Sequence, residues 1–190
     1  AVQKLCVMTS AGAADELFAC GLLSRIGRLA LATAYPSEYA GVLREEANGH
    51  PLVELEQRHL ETNHNELTAA LLAEWGIPHA LIEPIHHHEA PDRSGFLPGS
   101  RADQLAHLFY LAKCIAELGV SPERECNGRT AELLLLGGRI GLDADELGAA
   151  IDDIVRRWQE WGELLKVPAS ALPPFAQLSA AHAPRPANGG

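Results

Sequence analysis

Apolar residues recur three and four positions apart along most of this chain, and no stretch alternates regularly between apolar and polar residues. This period indicates α-helices and gives no support for strands. Proline and glycine divide the pattern into segments. One clear boundary is Asn63, a helix-capping residue type that precedes the apolar positions of residues 67–82. The sequence therefore predicts an all-α protein, built as a multi-helix bundle.

The helical period also predicts which side chains form the core. Large apolar residues at the repeated positions should pack against one another, and the ring of Trp75 should anchor the junction between two helices. Trp158 and Trp161 should pack the last long helix onto the bundle. The predicted core consists of Leu22, Leu23, Ile26, Leu67, Leu71, Trp75, Ile85, Leu108, Leu111 and Ile115.

The helical pattern weakens after residue 166. Residues 167–190 are rich in Ala and Pro and have little periodicity, which is typical of a linker or a tail. We therefore expect one helical domain over residues 1–166, and we expect residues from 168 onward to take no part in its core. Because the chain begins with Ala1 inside a helical pattern, we expect it to be a fragment of a longer protein.

Composition narrows the classes of function. The formal net charge of −10 argues against binding to nucleic acid, which requires clustered Lys and Arg. The four cysteines form no CxxC pair, as expected for reduced thiols in the cytosol. We find no signal peptide and no apolar run approaching the roughly 20 residues that span a bilayer. The expected location is cytoplasmic, with no membrane partner.

Histidine is concentrated around one predicted helical hairpin, at His64, His86, His87 and His88. Imidazole binds Zn and similar ions, and a site usually needs three or four ligands. His64, His87 and His88 are therefore candidates for a ligand or metal site, with Glu89 and Asp92 as further oxygen ligands. The alternative is that His64 belongs to a polar network, while the three consecutive histidines cap the partially negative end of a helix.

Three segments together resemble the HDOD domain, a divergent relative of the HD superfamily of metal-dependent phosphohydrolases. They are residues 16–39, ELFACGLLSRIGRLALATAYPSEY; His64 through residues 75–78, WGIP; and residues 85–88, IHHH. The resemblance covers roughly residues 1–165 and is carried by the order and spacing of these segments. It implies an HD-type helical fold and a role in bacterial signal transduction, next to receiver or diguanylate-cyclase domains. It also implies a further N-terminal helical part of the domain, which we expect to be missing here.

The same resemblance implies that the metal site of catalytic HD enzymes is degenerate here. Catalytic members hold one or two metals with a His, a His-Asp pair, further histidines and a final Asp. This chain has Ser24 and Arg25 where the resemblance places the pair, and Lys113 where it places the final Asp. Cations in place of carboxylates repel a divalent ion. We therefore expect no metal and no cofactor, and hydrolysis would lack its activated water.

The predicted function is that of a non-catalytic regulatory domain, which binds a protein partner or an adjacent signalling domain. The alternative is a metal-dependent HD-type phosphohydrolase acting on a nucleotide or cyclic dinucleotide at His64, His87 and His88. In that case Glu66 or Glu89 would orient or deprotonate the attacking water. A third interpretation is a unit that forms a homodimer.

Overall fold

The computed structural model describes residues 1–120, 123–167 and 172–180, and these residues form helices and turns without a strand. The prediction of an all-α fold is confirmed. The helices are α1 (Val2–Thr9), α2 (Ala14–Leu23), α3 (Ile26–Ala34), α4 (Pro36–Glu46), α5 (Leu52–Leu60), α6 (His64–Glu74), α7 (His79–His86), a short 3₁₀ turn (Pro91–Arg93), α8 (Arg101–Val120), α9 (Glu123–Arg139), α10 (Ala144–Leu165) and α11 (Phe175–Ala180).

Helix α6 begins where the sequence predicts a cap. The Asn63 side-chain oxygen accepts hydrogen bonds from the backbone N–H groups of Asn65 and Glu66, both at 3.0 Å. These bonds satisfy two of the four N–H groups that a helix start leaves without partners. Beyond the end of α6, Gly76 has a φ of +76°, a conformation that glycine adopts without strain. The cap and the glycine together fix both ends of the helix that carries His64.

The chain forms two compact units. The central unit consists of Asp15–Phe109, and the terminal unit consists of Ala1–Ala14 with Tyr110–Gly190. The division falls within α8, which continues from one unit into the other. The division into a domain of residues 1–166 and a tail of residues 167–190 stays a prediction.

Close packing of α3 on α6 organises the central unit. A Cβ atom added to Gly27 would overlap the carbonyl oxygen of His64 and would lie 2.7 Å from the Thr68 hydroxyl oxygen. Only glycine therefore allows this approach. The backbone N–H of Gly27 donates to the same hydroxyl at 3.0 Å. The neighbouring apolar cluster consists of Leu31, Tyr39, Val42 and Leu55, flanked by Ala32, Leu52, Leu60 and Leu67.

The core of the terminal unit includes part of the predicted tail. Phe175 and Leu178 of α11 are 3% and 4% exposed, and the Phe175 N–H donates to Asp152 Oδ1 of α10 at 2.8 Å. The expectation that residues from 168 onward take no part in the core is wrong for these two side chains. Two large apolar residues among the Ala and Pro are enough to seat a six-residue helix. Residues 168–171 and 181–190 lie outside the described residues.

The predicted core is confirmed in part. Ile85, Leu108, Leu111 and Ile115 are buried, while Leu23, Ile26, Leu67 and Leu71 are half-buried. The prediction is wrong for Leu22 and Trp75, which are 72% and 52% exposed. Helix α2 buries Leu17 and Cys20 instead of Leu22. Trp75 follows the last residue of α6, where the chain leaves the helix and the ring faces solvent.

The longest apolar run departs from the sequence expectation. By length and composition alone, Ala14–Ala34 would be able to cross a membrane, so the statement that no run approaches that length is wrong. In the fold this run is interrupted at Ser24 and Arg25, which separate α2 from α3.

The exposure of Trp75 gives a test of the fold. Truncation of an exposed ring removes little packing, so Trp75→Ala should lower the free energy of unfolding by less than about 1 kcal/mol. Leu72, three residues earlier on the same helix, is 0% exposed. Leu72→Ala should cost about 2–5 kcal/mol because it leaves a cavity. Urea denaturation of both variants makes the comparison, and a larger loss for Trp75→Ala would contradict the fold.

Candidate functional site

A buried histidine lies between two carboxylates in the central unit. The side chain of His64 is 1% exposed, and that of Glu56 is 0% exposed. His64 Nδ1 lies 2.5 Å from Glu56 Oε2, and its Nε2 lies 3.1 Å from Glu89 Oε2. Both ring nitrogens can donate hydrogen bonds only when the imidazole is protonated. The arrangement is therefore an imidazolium held between two acids, and we call Glu56, His64 and Glu89 the buried triad.

The surroundings of the triad favour its charged form. Burial by itself would lower the pKa of His64, but hydrogen bonds to Glu56 and Glu89 and the charges of both carboxylates outweigh burial and raise this pKa above 6.5. For Glu56, burial would raise the pKa, and the bonds from the His64 ring and backbone N–H lower it below 4.5. Each group thus stabilises the ionised form of the other.

Further hydrogen bonds fix the triad to three helices. Glu56 belongs to α5 and accepts from the Tyr39 hydroxyl of α4 at 2.8 Å and from the His64 backbone N–H of α6 at 3.0 Å. The Thr68 hydroxyl donates to the His64 carbonyl at 2.7 Å. Burial and the bond to Glu56 raise the pKa of Tyr39 to about 12, so the phenol stays a donor at neutral pH. The carboxyl of Glu56 is thus fully used inside the protein.

His87 and His88, the other members of the predicted site, have partners of their own. His88 is 2% exposed, and its Nδ1 lies 2.6 Å from the Ile85 carbonyl oxygen. The half-buried ring of His87 packs edge-on against Phe96, with ring centres 5.5 Å apart. Burial, followed by the neighbouring charge of His86, lowers the pKa of His87. The structure therefore places His64 in an ion network and His87 against an aromatic ring.

The positions where the resemblance implies lost metal ligands also have ordinary structural roles. Ser24 donates from its hydroxyl to the Gly21 carbonyl oxygen at 2.9 Å, and Arg25 is exposed. Lys113 belongs to the terminal unit, where it pairs with Glu117 at 3.3 Å and lies 5.7 Å from the centre of the Tyr110 ring. Because Arg25 points to solvent, its guanidinium does not occupy an interior metal position.

The acids proposed as metal ligands or as acceptors for a water molecule, Glu66, Glu89 and Asp92, each have a different partner in the structure. Glu89 joins the triad, whereas Glu66 accepts from the Thr62 hydroxyl at 3.1 Å on the surface. Asp92 Oδ1 lies 3.6 Å from Nε2 of His107. His107 Nδ1 lies 3.1 Å from Asp103 Oδ1 on the same helix. His107 is a second buried histidine with acidic neighbours, and the sequence analysis missed it.

The donors present do not fit a divalent metal. Both nitrogens of His64 face carboxylates, the hydroxyl of Ser24 faces a carbonyl, and Arg25 is a cation. No group of three His, Cys, Asp or Glu side chains suited to a metal occurs among residues 1–120, 123–167 and 172–180. A metal at His64 Nε2 would have to displace its contact with Glu89.

Sequence reasoning also missed Glu56, although a signal was present. Helix α5 carries Leu52 and Leu60 four residues before and after Glu56, so this acid falls within the apolar stripe of the helix. A charge at such a position is buried only if it has a partner. The partner is His64, which the sequence analysis did single out.

Comparison with known proteins gives a family match and two similar structures. Residues 1–91 match the family model of the HDOD domain. The solved structure of the MmoQ response regulator from Methylococcus capsulatus strain Bath has a TM-score of 0.60 and 35% sequence identity, covering 80% of this chain and 55% of that chain. No curated protein matches the chain.

The second similar structure is a protein from Shewanella amazonensis SB2B whose name assigns it provisionally to the phosphohydrolases. It has a TM-score of 0.61 and 24% identity, covering 81% of this chain and 54% of that chain. At this identity the likeness shows the fold alone. The chain spans about half the length of both structures.

The triad predicts a pH dependence of stability. The pKa of His64 is raised on folding, so its contribution is complete below pH 6.5 and is lost as pH rises through the raised value. The pKa of Glu56 is lowered, so its contribution is present above pH 4.5 and is lost as pH falls through the lowered value. The network should stabilise the fold most between pH 4.5 and pH 6.5, and unfolding should become easier as pH rises above 6.5 through the raised pKa of His64.

Denaturant titrations at several pH values measure this dependence. His64→Gln should remove most of the alkaline loss because glutamine does not titrate. His79→Gln is the control, since the His79 side chain is 81% exposed. If both variants keep the loss seen in the unmodified chain, the titration of His64 is not its source.

Glu56 gives a second test of the triad. Glu56→Gln removes one partner of a buried ion pair and should lower the free energy of unfolding by about 3–5 kcal/mol. Glu54 is exposed on the same helix, and Glu54→Gln should change that free energy by no more than about 0.5 kcal/mol. Equal effects of the two substitutions in thermal or urea denaturation would be evidence against the buried pair.

Proposed function

We propose that this chain is a non-catalytic regulatory domain of a bacterial signal-transduction protein, since residues 1–91 match the family model of the HDOD domain. The observation that carries the proposal is the buried triad. The resemblance keeps three histidines of the catalytic site, His64, His87 and His88, and both nitrogens of His64 face carboxylates. A side chain used in this way supports helix packing rather than the activation of water.

The residues at the degenerate positions support the same proposal. Ser24 supplies a neutral hydroxyl, Arg25 a positive charge and Lys113 another positive charge, and none of these binds a divalent metal well. The resemblance places a His-Asp pair and an Asp at these positions. Metal-dependent hydrolysis depends on a metal that lowers the pKa of a bound water. Without that set of ligands, no metal is held that could do so.

The role in signalling rests on the relative with the higher identity. The MmoQ protein is named as a response regulator, and at 35% identity the similarity extends beyond the fold. We propose that the chain acts in the cytoplasm through contact with a protein partner or an adjacent receiver or diguanylate-cyclase domain. It would transmit the state of that neighbour and would bind no nucleic acid.

One observation favours an alternative function, a phosphohydrolase acting on a nucleotide or cyclic dinucleotide. In many metal sites, a histidine binds the metal through one ring nitrogen, and a carboxylate accepts a hydrogen bond from the other nitrogen and orients the ring. Glu56 has this position next to Nδ1 of His64. If Glu89 swung away, Nε2 of His64 would be open to a metal. His88 and one acid would then have to supply further ligands.

Activity measurements separate the two functions. The purified chain is assayed against generic phosphoesters and cyclic dinucleotides with added Mn, Zn, Mg or Fe, and its bound metal is measured by mass spectrometry. We expect no turnover above the metal-only background and less than one tightly bound metal per chain. Metal-dependent turnover that is lost in Glu89→Gln or His88→Gln and kept in His79→Gln would overturn the proposal.

A binding measurement tests the regulatory role itself. The ¹⁵N-labelled chain is titrated with receiver or diguanylate-cyclase domains encoded in the same reading frame or operon. Contact with a true partner should shift a contiguous set of surface amide resonances while the buried triad keeps its own. The absence of any shift, together with metal-dependent turnover, would replace the regulatory proposal with the enzymatic one.

A further inference from the structure

Helix α10 carries apolar residues that its own unit does not cover. Trp161, Leu164 and Leu165 are 58%, 72% and 62% exposed, and Trp158 is 38% exposed. The prediction that both tryptophans pack the helix onto the bundle is therefore wrong for Trp161. Trp158 packs in part, since a Cβ atom added to Gly119 of α8 would lie 3.5 Å from its indole ring. Exposed tryptophans next to exposed leucines are typical of a binding surface.

The exposed residues continue a regular helical seam. Leu147 and Ile151 are buried at the start of α10, followed at alternating spacings of three and four by Ile154, Trp158, Trp161 and Leu165. This spacing keeps one stripe of a helix facing another helix. Leu147 and Ile151 pack inside the terminal unit, Ile154 is half-buried, and the seam faces solvent from Trp158 onward. We call Ile154, Trp158, Trp161 and Leu165 the exposed seam.

We propose that the exposed seam of α10 pairs with the same seam of a second copy of this chain, with the two helices antiparallel. The spacings between its members are four, three and four, so the seam is symmetric about its midpoint. When Trp158 lies opposite the second copy's Trp161, Ile154 lies opposite the second copy's Leu165. A twofold interface requires this kind of self-complementary surface.

The area of the seam sets the strength of the pairing. The exposed parts of Trp158, Trp161 and Leu165, together with those of Leu164 at the edge of the seam, amount to roughly 500 Å² per copy, or about 1,000 Å² for a pair. This is the lower limit of specific interfaces and indicates a dimer with a Kd of micromolar order. Lipid is a poorer occupant because the polar side of α10 carries Asp152, Asp153 and Glu163, which anionic headgroups repel.

Sedimentation equilibrium of the full chain, from about 1 to about 100 µM, tests the proposal. We expect a monomer–dimer equilibrium. Trp161→Glu should raise the Kd about 30-fold or more, because it places a charge at the centre of the interface. Leu135→Glu is the control, since Leu135 is an equally apolar residue that is 75% exposed on a different helix, α9.

A second apolar position tests the antiparallel arrangement. Leu165→Glu places a charge opposite Ile154 of the second copy and should also raise the Kd. A chain that stays monomeric at every concentration would overturn the proposal. So would a Leu135→Glu variant that weakens the dimer as much as Trp161→Glu, or association that occurs only on anionic vesicles.

Discussion

The central unit depends on a positive charge kept away from water. A buried imidazolium is costly unless both of its N–H groups have acceptors, and His64 has Glu56 on one side and Glu89 on the other. Glu56 belongs to α5 and His64 opens α6, while Glu89 follows α7. The need for two acceptors therefore brings α5, the start of α6 and the segment after α7 together in one arrangement, which apolar packing alone would define less specifically.

The approach of α3 follows from the same arrangement. Thr68 bonds to the carbonyl of His64 and accepts from the backbone of Gly27, and the absence of a Cβ at Gly27 lets the two helices touch. Both nitrogens of His64 are used here to hold segments of the chain in place. This use gives the regulatory proposal its physical basis, together with Ser24 and Arg25, which stand where the resemblance to HD-type enzymes implies a His-Asp pair. The separate seam on α10 concerns the terminal unit and does not depend on it.

Local signals in the sequence predicted much of the fold, because capping and helical spacing act within a few residues. Asn63 was identifiable as a cap by residue type, and His64 by its place beside a cluster of histidines. Glu56 was not identified, because its partner lies on another helix and its place in the apolar stripe of α5 does not by itself name that partner. Leu22 and Trp75 were misplaced for a related reason. Helix α2 is apolar on most sides, so the spacing of its apolar residues does not show that Leu22 lies on the exposed face. The large ring of Trp75 suggested burial, but its size does not show that the chain leaves α6 at this residue.

The protonation state of His64 tests the central claim most directly. Long-range ¹H–¹⁵N correlation spectra of the ring, recorded through a pH titration and then with added Zn²⁺, report both nitrogens separately. The account predicts that both nitrogens carry protons above pH 6.5, the ordinary pKa of the side chain, and that Zn²⁺ leaves their shifts unchanged. A neutral ring at that pH, with an unprotonated Nε2 that shifts on addition of Zn²⁺, would contradict it.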